Sequence, residues 1–465
     1  MRSWILPLFA KIGLFFMSLG LGVVSYLMAH ELRHDGTGQR ASSLAQIPAQ
    51  PVSLSLDMEP ALLARTESPV DAASDVMGVY YVLQSDGKII RIAPEMGGSA
   101  APNLYASLAD DRTDRSLGFS SLVIHPRFHI REDPGYGRFY VVVSEQAGAG
   151  SIDFLPEFGG GSEHHQDVVY EYVVEDPLLP EFRGSRRELM RFSQPGPDHN
   201  VSGLAFDLTG LLYVGVGDGA TGEVSRRSPS RNASSLTSAY GKVLRIDPLG
   251  SNSMNGQYGI PDGNPFRLVS EALPELWVFG LRAPRSLSYD PFQQGLCIAE
   301  SAAAGIEEIN LSLRGGEHYG WDISADTDKL SRAALARLDE VVTSPAFSLN
   351  LESGLAARPS GSLFYRGESF PSLAGNLLVA SHDGQLLALR PATAVEDSPR
   401  LARIDLGRVS ELRFSGLRAG ARGELILLCE DGQIFEMRKS ASLGTGGSKH
   451  RSLFCLLPDS SANRS

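Results

Sequence analysis

Short apolar runs alternate with turn-forming residues along most of the chain, and the runs are too brief for helices. An apolar strand, a turn containing Asp, Pro or Gly, and a second apolar strand recur at residues 79–92, 122–143, 204–216, 287–298, 363–389 and 412–437. Runs of this length bounded by turn signals read as strands, and self-similar units repeated around a chain read as a radial array. Six such units predict an all-β fold, a six-bladed β-propeller over residues 56–438, with long loops filling out spacings of about fifty to eighty residues. The only stretch with a short helical period is 328–342.

The first thirty residues break this pattern. Residues 12–29 form an uncharged, mostly apolar run, preceded by Arg2 and Lys11 and followed by the charged segment His30-Glu31-Leu32-Arg33-His34-Asp35. The run is long enough to span a bilayer, and no convincing cleavage site follows it, so residues 1–30 read as a membrane anchor rather than a signal peptide. Positive charge on the amino-terminal side places the remainder on the periplasmic or extracellular side; cleavage would make it secreted. Residues 31–55 are polar and rich in Ser, Gln, Ala and Pro, as in a linker, and residues 439–465 form a polar tail.

Composition narrows the function. Of 465 residues, 42% are hydrophobic, with 49 Gly and 27 Pro, which suits a β-rich globular fold with many turns. A net charge of -12 argues against nucleic acid as a partner, while acidic oxygens could hold Ca²⁺. Cys297 and Cys429 lie in apolar runs and read as buried thiols; with Cys455 the count is odd, against a disulfide framework. No Cys-x-x-Cys-His occurs, so the chain carries no covalently attached c-type haem of its own.

One segment concentrates chemistry. Asp198-His199-Asn200 precedes Leu204-Ala205-Phe206, and after the turn Asp207-Leu208-Thr209-Gly210 a second strand ends in Gly217-Asp218-Gly219. A hairpin of two antiparallel strands returns the chain to its start, so His199 and Asp218 can meet. An imidazole held by a carboxylate is fixed in one tautomer and made more basic, which suits abstraction of a hydroxyl proton; the same pair also fits a solvated turn. His164-His165 could be read as a metal pair, but neighbouring strand residues face opposite sides. Asp262-Gly263-Asn264 lacks the regular acidic spacing of a calcium loop, and Arg226, Arg227 and Arg231 form a small basic cluster able to attract an anionic substrate or redox partner.

Several blocks then carry a family resemblance. They are Leu122-Val123-Ile124-His125-Pro126-Arg127-Phe128, the stretch from Asp198 to Asp218, Gly241-Lys242-Val243-Leu244-Arg245-Ile246-Asp247-Pro248, Glu275-Leu276-Trp277-Val278-Phe279-Gly280-Leu281-Arg282, Glu307-Glu308-Ile309-Asn310-Leu311 and Tyr319-Gly320-Trp321. In this order they resemble the PQQ-dependent soluble glucose and aldose sugar dehydrogenases, the glucose/sorbosone dehydrogenase group, which includes the Hedgehog-interacting protein ectodomain. The resemblance covers roughly residues 60–437.

That resemblance implies oxidation of an aldose to a lactone. His199 would be the base and Asp218 would orient it, with hydride passing to PQQ beside Ca²⁺ and electrons leaving to a separate acceptor such as a c-type cytochrome or quinone. Arg282, Arg408 and Asn200 would contact the cofactor. The carbonyls of Ala302 and Ala303 would hold the cofactor-side Ca²⁺, and Glu308 with the Tyr319 carbonyl a second, structural one. The chain also departs from the family pattern: Ala283 replaces an asparagine, Val201-Ser202 a Gly-Gly pair, Asp383 stands near an expected lysine, and Ser410 ends what is elsewhere Arg-x-Arg. These departures keep two other readings open, a cofactor-free binding propeller and a propeller hydrolase such as a lactonase using Ca²⁺ and His199.

Overall fold

The computed structural model describes residues 52–54, 56, 58–93, 102–158, 162–220, 231–302, 306–321, 342–350, 358–390, 400–404, 406, 409 and 411–440. The expected anchor at 12–29, the helical stretch at 328–342 apart from Val342, Cys455, Arg226 and Arg227 lie outside these residues. Among the described residues no helix is long and apolar enough to cross a membrane.

The strands fall into six sheets. In chain order these are β3 (Pro69–Ser74) to β6 (Asn103–Ser107) with β4 (Tyr80–Gln84) and β5 (Lys88–Ile92); β7 (Phe119–Ile124), β8 (Arg138–Gln146), β9 (His165–Val174) and β10 (Gly184–Gln194); and β11 (Val201–Phe206), β12 (Leu212–Val216), β13 (Lys242–Ile246) and β14 (Leu276–Phe279). The fourth holds β15 (Pro284–Asp290), β16 (Gly295–Ser301), β17 (Ile306–Ser312) and β18 (Phe347–Asn350). The fifth holds β19 (Pro359–Phe364), β20 (Leu377–Ser381), β21 (Leu386–Arg390) and β22 (Arg400–Ile404), and the sixth begins with β23 (Phe414–Ala419), β24 (Leu425–Cys429) and β25 (Gln433–Lys439).

Each sheet is an antiparallel meander, and the first strand of each packs against the first strand of the next, with β23 returning to β3. This is a six-bladed propeller with one blade per sequence unit. Its closure is built from the chain's beginning: β2 (Met58–Arg65) pairs antiparallel with β25 as the outermost strand of the sixth blade. β1 (Val52–Leu54) pairs in parallel with β22 on the fifth. A ring locked by a strand from the far end of the sequence leaves no central edge open.

Blade-on-blade packing explains the uninterrupted apolar runs. Leu377–Ser381, Leu425–Cys429 and Leu212–Val216 are buried at every position because both faces of each blade meet a neighbour. The two faces of β16 show the division of labour. Cys297 and Ala299 pack with Phe364, Leu377 and Val379 of the fifth blade, whereas Leu296 and Ile298 pack with Tyr213, Val243 and Leu281 of the third. Cys297 and Cys429 are buried free thiols, each pushed up to about 12 chiefly by burial. The Asp-bearing turns are self-capped: Asp207 Oδ1 accepts from the amides of Thr209 and Leu211 at 2.9 and 3.0 Å, and Asp75 does the same for Met77 and Val79.

One irregularity repeats around the ring. Pairing between the first and second strand of every blade skips where the first strand begins, between Pro69 and Asp71, Phe119 and Ser121, Val201 and Leu204, Pro284 and Ser286, Pro359 and Gly361, and Phe414 and Gly416. Bulges at sheet edges and barrel rims re-aim side chains. Here the residues left out are Val70, Ser120, Ser202 with Gly203, Arg285, Ser360 and Ser415; Gly203 apart, each is more exposed than its buried neighbours, and Ser120 and Arg285 are the most exposed. This end of the ring also carries the start of β11 and the end of β12.

Candidate active site

The β11–β12 hairpin brings His199 and Asp218 together: His199 Nδ1 lies 2.5 Å from Asp218 Oδ1. The approach depends on two backbone features. His199 adopts a left-handed conformation, φ 58°, and a Cβ at Gly217 would sit 2.0 Å from the His199 carbonyl oxygen. Only glycine lets the two strands close this tightly.

Asp218 is fully buried and has four sets of contacts. Its Oδ1 also accepts from the Ala220 amide at 3.1 Å, and its Oδ2 accepts from Trp321 Nε1 at 2.8 Å. Its backbone amide donates to the Arg282 carbonyl at 2.8 Å, and its carbonyl accepts from Asn232 Nδ2 at 3.3 Å. A buried carboxylate is stable only when paired and hydrogen-bonded, and here the donors are spread over both oxygens. With Nδ1 on Asp218, the lone pair of neutral His199 is directed to Nε2. The loop over the pair is fixed by Lys242, which is fully buried and donates from Nζ to the carbonyls of Asn232, Ala233 and Tyr240 at 2.6, 2.8 and 2.7 Å.

Arg282 joins the pair through the backbone, and its guanidinium carbon stands 5.1 Å from the centroid of the Trp321 ring. Its amide donates to Glu300 Oε2 at 2.7 Å, so Glu300 holds the segment that carries it. Arg282 is one of three neighbouring arginines with Arg285 and Arg358. Burial, then the like charge of Arg358, lowers Arg285 below the ordinary guanidinium value, with Glu307 opposing. Arg285 Nε donates to Ser301 Oγ at 2.9 Å and Ser301 Oγ to Glu307 Oε2 at 2.7 Å. Burial pushes the Glu307 carboxyl up, against the Ser301 hydrogen bond and all three arginines. Three guanidinium groups thus stand against two carboxylates, Glu307 and Asp198, an excess that suits a ligand bearing carboxylates.

Glu308 pairs across the ladder with Glu300, and Asn310 Nδ2 donates to Glu300 Oε1 at 2.8 Å. Burial, then repulsion from Glu308, pushes Glu300 up to about 8; burial pushes Glu308 up to about 7. Among the described residues neither carboxyl has an ion-pair partner. Two adjacent buried carboxyl groups with an amide oxygen beside them fit a hard divalent cation such as Ca²⁺. Among the described residues no group of three His, Cys, Asp or Glu side chains is gathered as for a metal, so backbone carbonyls or water would complete the shell.

The remaining expected positions divide. Asn200 donates from Nδ2 to the Pro197 carbonyl at 3.1 Å, and its buried Oδ1 has no partner. The Ala302 amide donates to the Ile306 carbonyl at 3.1 Å, closing the start of the loop whose next residue, Ala303, lies outside the described residues. Tyr319 is buried, its amide on the Phe279 carbonyl at 3.0 Å. Arg408 and Ser410 also lie outside the described residues. Asp383 is exposed and held in its own hairpin turn by Ser381 Oγ and Gln385 Nε2.

His164 and His165 depart from the expected opposite facing: His164 precedes β9, and the two Nδ1 atoms lie 3.0 Å apart. Trp321, Glu300, Arg285 and Arg358 were not singled out from the sequence. Trp321 and Glu307-Glu308 fall inside the sequence blocks that carry the family resemblance, but nothing local distinguishes Arg285 or Arg358 from surface arginines.

Residues 163–435 match the family described as Glucose / Sorbosone dehydrogenase. The HIPL1 protein of Arabidopsis thaliana is 28% identical over 308 residues, 57% of this chain and 43% of its own length. The aldose sugar dehydrogenase YliI of Escherichia coli is 26% identical over 283 residues, 59% of this chain and 68% of its own. The chain thus spans less than half the length of the first of these. Two solved structures share the fold. The apo form of the soluble aldose sugar dehydrogenase from Escherichia coli gives a TM-score of 0.58 at 20% identity, covering 82% of this chain and 99% of that one. The PQQ-bound aldose sugar dehydrogenase from Streptomyces coelicolor gives 0.55 at 18% identity, covering 84% and 99%.

Proposed function

The chain belongs to the Glucose / Sorbosone dehydrogenase family, and from that premise we propose that its channel-mouth site oxidises an aldose at the anomeric hydroxyl, with PQQ as cofactor. The observation that carries this reading is the His199–Asp218 pair, 2.5 Å apart and braced by Trp321, beside a cluster of three arginines.

The residues present fit the implied groups. Arg282, Arg285 and Arg358 would face the carboxylates of PQQ, and Glu308 with Glu300 would hold a structural Ca²⁺ ion on the blade face away from the channel. Bound PQQ would supply the two-electron acceptor for the hydride leaving C1, and a second Ca²⁺ ion, held by the carbonyls of Ala302 and Ala303, would serve as Lewis acid. The protein's own share is proton transfer and orientation. His199 Nε2 takes the hydroxyl proton as the C1 carbonyl forms, and the product is the lactone. Asp218 holds Nδ1–H throughout, so the ring keeps its tautomer and the imidazolium meets a fixed negative charge. Trp321 keeps the second carboxylate oxygen from turning away.

Exported placement behind an amino-terminal anchor, and transfer of electrons to a separate cytochrome or quinone, complete the proposal; the apolar run at 12–29 supports the first. The hydrolase alternative called for Glu and Asn ligands in the axial channel. Glu300, Glu308 and Asn310 instead share the β16–β17 face that packs toward the third blade.

The test is a titration of chelator-stripped protein with PQQ and Ca²⁺, following an artificial electron acceptor across a panel of aldoses. Reduction that needs both additions and is lost in His199→Ala supports the reading. Failure to bind PQQ at saturating Ca²⁺ would overturn it and leave a binding propeller.

A further inference from the structure

The six bulges sit at equivalent places, the starts of the innermost strands, and five of them carry small side chains: Val70, Ser120, Ser202, Ser360 and Ser415. The sixth is Arg285. Two of the serines serve the ring itself, Ser120 Oγ donating to the Val201 carbonyl at 3.4 Å and Ser202 Oγ to the Pro284 carbonyl at 2.5 Å, each stitching one blade to the next. Arg285 does no such stitching. Its Nε is spent on Ser301 Oγ, which fixes the stem and leaves the fork of two terminal nitrogens without a partner among the described residues. Ser301 is in turn anchored on Glu307, so the guanidinium is aimed from a buried support.

An exposed arginine in an otherwise small-residue ring, crowded by the like charges of Arg358 and Arg282, gains from an anionic partner. Glu307 is shared among all three, and with Asp198, which also acts on Arg285, the carboxylates are outnumbered by the guanidinium groups. Charge and geometry both call for an anion entering from the channel, and a planar fork selects a carboxylate bidentately.

We propose that Arg285 is a ligand-binding residue of this chain, receiving a carboxylate at the channel mouth in a bidentate pair. The inference rests on the dehydrogenase reading only for where that carboxylate comes from: a carboxylate of PQQ, or one on the sugar itself, as in a uronic acid. Either source uses the same fork. The position also lies two residues beyond Ala283, where the chain has only a methyl group, so the contact is supplied from the bulge rather than from the residue after Arg282.

The experiment compares wild type, Arg285→Gln and Arg285→Lys as full chains by calorimetric titration. The probes are PQQ with Ca²⁺, and D-galacturonate against D-galactose without cofactor. Loss of a charge-assisted bidentate contact predicts about ten- to a hundred-fold weaker carboxylate binding in Arg285→Gln, with Arg285→Lys between because it keeps charge without the fork. Weakening confined to PQQ assigns the cofactor as the source; weakening confined to galacturonate, with galactose unmoved, assigns the substrate. Unchanged binding of both probes in Arg285→Gln overturns the inference and leaves the dehydrogenase reading intact. A wild type that binds galacturonate through Arg285 but never PQQ sinks that reading and keeps this one; binding of neither probe overturns both.

Discussion

Trp321 Nε1 donates to Asp218 Oδ2 at 2.8 Å, from 103 residues further along the chain. The indole occupies the oxygen that His199 does not use, so the carboxylate cannot rotate without losing a buried hydrogen bond. Trp321 is itself tied down, its amide on the Gly280 carbonyl at 2.9 Å. The orienting carboxylate is thus fixed by the neighbouring blade connection and not by its own hairpin alone.

Two substitutions separate the parts of this relay. Asp218→Asn keeps the shape but offers the wrong partner to Nδ1, and kcat/KM for aldose oxidation should fall on the order of 10³- to 10⁴-fold. Trp321→Phe removes one hydrogen bond to a charged group, about 1.5–3 kcal/mol, and should cost roughly ten- to a hundred-fold. Its signature should be a moved pH–rate profile with KM little changed. A KM effect alone would mean that Trp321 only shapes the pocket.

Gly217→Ala should uncouple folding from chemistry. The added methyl would meet the His199 carbonyl at 2.0 Å, so the His199 backbone must shift while the blade cores stay packed. A stability loss of about 1–3 kcal/mol is expected, with a far larger loss in kcat. A low-field proton resonance from the His199–Asp218 hydrogen bond is expected in wild type and should vanish in the variant. Its survival would show that the strands give way elsewhere.

Glu300 and Glu308 set a pH dependence of stability. Their folded-state values, about 8 and about 7, lie above the ordinary carboxyl value of 4.5, so the folded protein binds more protons than the unfolded chain in between. Stability of metal-stripped protein should therefore fall as pH rises from about 4.5 to about 8, then level off. A Ca²⁺ ion held as proposed would need the ionised pair, so its stabilising effect should grow over the same window. Thermal unfolding in chelator and in Ca²⁺ checks this, with Glu300→Gln flattening the slope. Equal slopes with and without Ca²⁺ would remove the pair as a cation site.

Lys242 is another fully buried charge whose removal should be severe. Lys242→Met strands three carbonyls that it now satisfies, and a loss of about 3–5 kcal/mol in urea unfolding is expected. A loss under about 1 kcal/mol would mean that water replaces the ammonium group.

Local pattern was enough for the blades and for one contact. Period, run length and turn residues are short-range properties, and in a propeller each unit pairs mostly with its sequence neighbours, so six strand–turn–strand repeats were legible as six sheets. The same locality made the His199–Asp218 meeting legible, because a two-strand hairpin with a self-capped Asp207 turn has only one way to return. Tertiary structure decided the rest. Closure by β2 on β25 joins the two ends of the ring, a pairing that no local signal encodes. Trp321 reaches Asp218 and Arg285 meets Arg358 only because blades pack side by side around an axis. Which residue of an innermost strand turns into the channel depends on a bulge, a one-residue slip in register that reverses a side chain's direction without altering the apolar pattern that marks the strand.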